Sequence, residues 1–90
     1  MVTEDLKRLY YGYTGSQAED ITELPSSGSN RRYFRISGPK TLIGVSGSSQ
    51  EENKAFIYMA GFFKGKGINV PEVHFHSDDY SFYLQEDLGD

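Results

Sequence analysis

The chain has 90 residues, enough for one small domain that buries only about 60–65% of its unfolded-chain surface, so a deep, two-sided active site would be cramped. Thirteen acidic against nine basic residues leave a net charge of -4, a field that repels nucleic acid and anionic membrane and confines any anion site to a local cluster. The absence of cysteine excludes disulfides, thiolate metal sites and cysteine nucleophiles, and neither a signal peptide nor an apolar window of about 20 residues is present, which together point to a cytoplasmic protein.

Thr3 is placed to N-cap a first helix whose opening turn carries Glu4 and Asp5, as the helix dipole favours. Leu6, Leu9, Tyr10 and Tyr13 follow at i, i+3, i+4 and i+7 and form one apolar stripe, ended by Gly12 or Gly15. Residues 14–20 read as a connection. Ile21-Thr22-Glu23-Leu24-Pro25 is a short strand stopped by its own proline, and Tyr33-Phe34-Arg35-Ile36-Ser37 alternates as a second strand. After the Gly38-Pro39-Lys40 turn, Thr41 to Ser46 is a third strand, so two adjacent hairpins give three antiparallel strands.

Ser48 with Glu51, or Ser49 with Glu52, has capping-box spacing and opens a helix over about 50–65. Phe56, Met59, Ala60 and Phe63 are its expected buried stripe, with Ile57 beside it, and Lys64-Gly65-Lys66-Gly67 is its cationic, glycine-rich end. Val73-His74-Phe75-His76 and Ser81 to Glu86 are the fourth and fifth strands, turned by Ser77-Asp78-Asp79-Tyr80. The expected class is therefore α+β, a five-stranded antiparallel sheet with one main packed helix and an N-terminal helix.

Between the first two strands lies Ser26-Ser27-Gly28-Ser29-Asn30-Arg31-Arg32. Small residues let a backbone turn tightly and expose its N–H groups to a phosphate, and guanidiniums add charge-assisted donors. Neither the Walker pattern nor the spaced triple-glycine fingerprint is present, and taken alone the stretch reads first as a plain polar hairpin turn with solvated arginines.

Four pieces in order carry a wider resemblance: Leu24-Pro25; Ser29-Asn30-Arg31-Arg32-Tyr33-Phe34-Arg35; Gly67-Ile68-Asn69-Val70-Pro71-Glu72-Val73; and Leu84-Gln85-Glu86-Asp87-Leu88-Gly89-Asp90. With the element order, they make residues 21–90 resemble the N-terminal lobe of protein-kinase-like enzymes. Within those, the stretch is similar to the aminoglycoside phosphotransferase and choline kinase-like group, and most of all to bacterial N-acetylmuramate and N-acetylglucosamine 1-kinases. The resemblance implies that residues 1–20 are an N-terminal helix and connection, and that residues 21–90 are a lobe ending at an inter-lobe hinge.

The same resemblance implies that Ser27, Gly28, Ser29, Asn30, Arg31 and Arg32 lie over the phosphates of ATP. Gly44 would leave room for the adenine in an apolar ceiling with Phe34, Ile36 and Leu42, Gln85 would stand at the hinge entrance, and backbone groups of Glu86 and Leu88 would bond the base. Kinases carry a lysine two residues after that small residue, paired with a helix glutamate. Here the position is Ser46, so the phosphate charge falls to Arg31 or Arg32, with Lys40 and Lys54 as alternatives, and Glu52 is the helix carboxylate expected to face inward. Taken alone, Glu51 and Glu52 read first as plain capping and dipole residues.

Phosphoryl transfer also needs magnesium ligands and a group that orients the acceptor hydroxyl. In kinase-like enzymes these come from the C-terminal lobe, so the resemblance implies an ATP- and Mg2+-dependent parent acting on a small hydroxylated molecule such as an amino sugar, and a catalytically inactive, weakly ATP-binding lobe. His74 and His76 point the same way from one strand but have no evident third ligand and support no metal site. Two other readings stand beside this one. One is an interaction module docking a protein through Tyr11, Tyr33 and Tyr58; the other is a single-stranded RNA binder using Arg31 to Arg35, which the net charge opposes.

Overall fold

The computed structural model describes residues 2–25 and 31–87. Two helices and five strands follow in the order α1 (Val2–Thr14), β1 (Asp20–Glu23), β2 (Arg31–Ser37), β3 (Leu42–Gly47), α2 (Gln50–Gly65), β4 (Val73–His76) and β5 (Phe82–Glu86). The strands form one sheet in the order β1-β2-β3-β5-β4, and every neighbouring pair is antiparallel. This is the expected α+β class and the topology of a kinase-like N-lobe.

Strand alternation sends one set of side chains to each side of the sheet. Phe34, Ile36, Leu42 and Leu84 form one core with Leu6 and Tyr10 of α1, all buried. Ile43, Val45 and Tyr83 form the other, against Phe56 and Ile57 of α2 with Leu24, Tyr33 and Val73 at its margin. The sheet is thus sandwiched, α1 on one face and α2 on the other.

Helix α1 begins at Val2, so Thr3 lies inside it rather than at its cap. Its acidic first turn and its stripe are as expected: Leu6 and Tyr10 are fully buried, and Leu9 and Tyr13 pack beside them. Gly15 ends the helix in the left-handed region at φ 76, with its N–H donating to the Tyr11 carbonyl. The Tyr10 hydroxyl donates to the Lys40 carbonyl and accepts from the Lys40 N–H, tying α1 to the β2–β3 turn.

Ser49 is the N-cap of α2, accepting from the Glu52 N–H at 3.2 Å, and Glu51 and Glu52 occupy the first turn. The buried stripe is the expected one in Phe56, Ala60 and Ile57 and differs at Met59 and Asn53. Asn53 and Ala60 are buried with Phe56 and Ile57 packed on the sheet, whereas Met59 is 49% and Phe62 52% exposed. From Phe56 to Phe63 the helix is apolar on nearly every side, so its periodicity does not select a face; docking against Val45 and Tyr83 does.

Candidate functional site

The α2 face of the sheet is built from odd-numbered residues of β2, β3 and β5, and alternation separates the two arginines that the sequence left equivalent. Arg31 turns toward α2. Its Nε donates to Asn53 Oδ1 at 3.3 Å, its Nη2 donates to the Glu52 carbonyl at 3.4 Å, and its guanidinium carbon lies 5.1 Å from the centre of the Phe56 ring. Arg32 turns to the other side, where it forms a two-pronged ion pair with Glu23 at 2.9 Å per bond and lies over the Phe34 ring. The guanidinium beside Glu23 holds that carboxyl below its usual range, hydrogen bonding being the larger cause.

Glu52 is exposed, and it is the neighbouring Asn53, 1% exposed, that reaches inward. Asn53 Nδ2 donates to the Tyr80 carbonyl at 2.8 Å and to the Gly47 carbonyl at 3.3 Å, so one amide joins the start of β2, the end of β3 and the β4–β5 turn. Gly47 is required for this: a Cβ there would fall on the Asn53 amide. The expectation of an inward Glu52 carboxylate is therefore corrected to an inward amide one residue on. An unpaired asparagine inside an apolar stripe is the signal that could have found it, since a buried amide needs dedicated partners.

The expected ceiling is corrected too. Phe34 is 1% exposed and, with Ile36 and Leu42, lies beneath α1. The space beside Gly44 is filled: an added Cβ would stand 2.8 Å from Ile36 Cδ1 and 3.1 Å from Leu6 Cδ2. That glycine accommodates a helix. The side chains that line the opposite face beside α2 are Leu24, Tyr33, Ile43 and Val45, followed by Gln85 at the exit of β5.

At that exit, Arg35 makes a two-pronged pair with Asp87 at 2.9 and 3.2 Å, their side chains 35% and 13% exposed. This pair spans 52 residues and ties β2 to the end of β5, and neither member was expected at the site. Gln85 Oε1 is buried without a partner among the described residues. The Glu86 N–H is taken by the Glu72 carbonyl at 2.8 Å, and Glu86 Oε1 accepts from the Glu72 N–H at 3.2 Å with Lys64 Nζ 3.8 Å away. The Glu86 N–H is thus engaged by the segment leading into β4. Ser27, Gly28, Ser29, Asn30 and Leu88 lie outside the described residues.

Tyr83, fully buried, stacks on Phe56 with ring centres 5.6 Å apart. Burial pushes its phenol far above the ordinary tyrosine value, opposed by the charge of Arg31, and its hydroxyl has no partner among the described residues. His74 stacks on Tyr13 and His76 on Tyr80, and no group of three or more metal-binding side chains occurs among the described residues. The Arg31 to Arg35 stretch is not a nucleic-acid stacking strip, because Phe34 is in the core and Arg32 and Arg35 are paired with carboxylates. Tyr11 and Tyr58 are exposed, while Tyr33 packs at the edge of the α2-side core. No helix among the described residues is long and apolar enough to cross a membrane.

No family model matches the chain. It is 32% identical over 72 residues to the N-acetylmuramate/N-acetylglucosamine kinase of Pseudomonas aeruginosa, an alignment covering 78% of this chain and 21% of that enzyme. The chain thus spans about a fifth of the length of the curated relative it matches. Fold and similarity together support a kinase-like relationship.

Proposed function

We propose that this chain is the ATP-binding N-terminal lobe of a phosphotransferase that moves the γ-phosphate of ATP to a hydroxyl of a small molecule, of the amino-sugar or aminoglycoside kind. The observation that carries the reading is that Arg31 and the β5 exit at Gln85 share the α2 face of one sheet, a cation for phosphate at one end and the end of a strand for a base at the other. In this proposal the base lies against Leu24 and Ile43 and is bonded at Glu86 and Leu88, and the phosphates meet Arg31 and the stretch Ser27 to Asn30. Gln85 Oε1, buried and unpartnered among the described residues, suits an amino group of the base. Arg32 is assigned to fold stability through Glu23.

The chain's own contribution is to bind and orient the nucleotide. When bound, Mg2+ supplies charge neutralisation between the phosphates. In this proposal the magnesium ligands come from the remainder of the parent enzyme, and Asp87 is engaged by Arg35. With acceptor and magnesium contacts supplied from there, the lobe by itself binds ATP weakly and does not turn over.

Titration with magnesium-ATP, followed by backbone amide shifts, tests this. Shifts are expected at Arg31, Tyr33, Ile43 and 85–87, with β1 at Asp20–Thr22 and the outer face of α2 unmoved. Silence on this chain and again on a longer polypeptide carrying the next lobe would end the nucleotide reading.

A further inference from the structure

Asn53 is the one buried polar side chain among the described residues, and its location relates it to the phosphate-binding role given to Arg31. Three features bear on this. Its Oδ1 accepts from Arg31 Nε, the donor that fixes the plane of a guanidinium, while Phe56 lies under that plane. Its Nδ2 is directed by the Gly47 and Tyr80 carbonyls, so the amide cannot turn to offer Arg31 a donor in place of its acceptor without losing both. Tyr80 stands at φ 63, uncommon for a residue other than glycine, and its carbonyl is held there by Asn53 at 2.8 Å while its ring stacks on His76. The support behind Arg31 is therefore rigid from two directions.

We propose that Asn53 is a positioning residue for oxyanion binding: it presets the Arg31 guanidinium plane so that its outer N–H groups meet a polyphosphate without first losing rotamer freedom. This rests on the reading of Arg31 as the phosphate-binding cation. The two bonds, at 3.3 and 3.4 Å, turn the Nε side of the guanidinium toward α2. A long side chain held in its bound orientation loses less entropy on binding, which is why removal of the support should weaken phosphate affinity selectively.

The test is a binding cycle on this chain with two probes, inorganic tripolyphosphate and adenosine, for wild type, Arg31→Gln, Asn53→Ala and the double variant. Asn53→Ala is expected to weaken tripolyphosphate about tenfold and leave adenosine unchanged, and to weaken nothing further in the Arg31→Gln background. Equal loss of both probes, or a full additional loss in the double variant, would reduce Asn53 to a structural role and overturn the inference. If Asn53→Ala fails to fold, Arg31→Lys substitutes for it: charge is kept, the planar Nε donor is lost, and an unchanged tripolyphosphate affinity overturns the inference. Tripolyphosphate binding without adenosine binding would sustain this inference and remove the ATP reading; ATP binding insensitive to both substitutions would do the reverse. Failure of tripolyphosphate to bind wild type at all also overturns it.

Discussion

At the scale of single residues, parity along a strand decides chemistry. Arg31 and Arg32 are adjacent and identical in type, yet one supports α2 and the other an exposed ion pair, because consecutive side chains leave a strand on opposite sides. Tyr83 makes a sharper case, since its hydroxyl is buried without a partner among the described residues. Tyr83→Phe removes a desolvated polar group and keeps the ring against Phe56, so urea unfolding should show a gain of about 1 kcal/mol. The phenol's folded pKa is raised, chiefly by burial, so the unfolded chain gives up this proton first. The native state is at full strength below the ordinary tyrosine value, about 10, and weakens as pH climbs beyond it; Tyr83→Phe should flatten that alkaline decline.

At the scale of elements, the two helices are not equally legible. The limits of α2 were expected at about 50 and 65 and are found at Gln50 and Gly65, because Ser49 and the glycine-rich end are local signals that act whatever the helix packs on. Of its expected stripe Phe56, Ala60 and the adjoining Ile57 do face the sheet, but Met59 is exposed and Asn53 is buried instead, since the apolar run from 56 to 63 does not select a side. For α1 the stripe was legible, but its position on the sheet was not, and that position is what closes the Gly44 face. A pair of truncations separates docked from undocked apolar positions. Leu6→Ala, fully buried beneath the sheet, should cost about 3 kcal/mol in urea unfolding, whereas Met59→Ala on the exposed side of α2 should stay within about 0.5 kcal/mol. Similar losses at both positions would contradict the sandwich.

At the scale of the whole molecule, the Arg35–Asp87 pair couples the second strand to the exit of the fifth, and no local pattern announces it. Being only part-exposed, it should contribute more than a surface pair, and Arg35→Ala is expected to cost about 1–2 kcal/mol. The same substitution should shift the amides of Gln85 and Asp87 and weaken adenosine more than tripolyphosphate, which amide shifts on titration with each ligand would measure. Equal weakening of the two would argue that the pair supports the fold without shaping the base-binding edge.

The sequence by itself determined the number and order of the elements, the limits of α2 and the antiparallel class of the sheet, because caps, alternation and turn residues act between neighbours a few positions apart. Strands β1 and β2 begin earlier than expected, at Asp20 and Arg31. It also marked the arginine-bearing turn and the acidic exit as the stretches to watch. Which helix covers which side of the sheet was decided only by the tertiary structure. Both faces of β3 are apolar, and nothing in Leu42-Ile43-Gly44-Val45 says which will be covered by a helix drawn from residues 2–14 and which by one drawn from 50–65. That choice rests on how distant segments fill each other's volume, Leu6 into the gap at Gly44 and Asn53 against Gly47, and from it follows which arginine, which amide and which strand end face the same side.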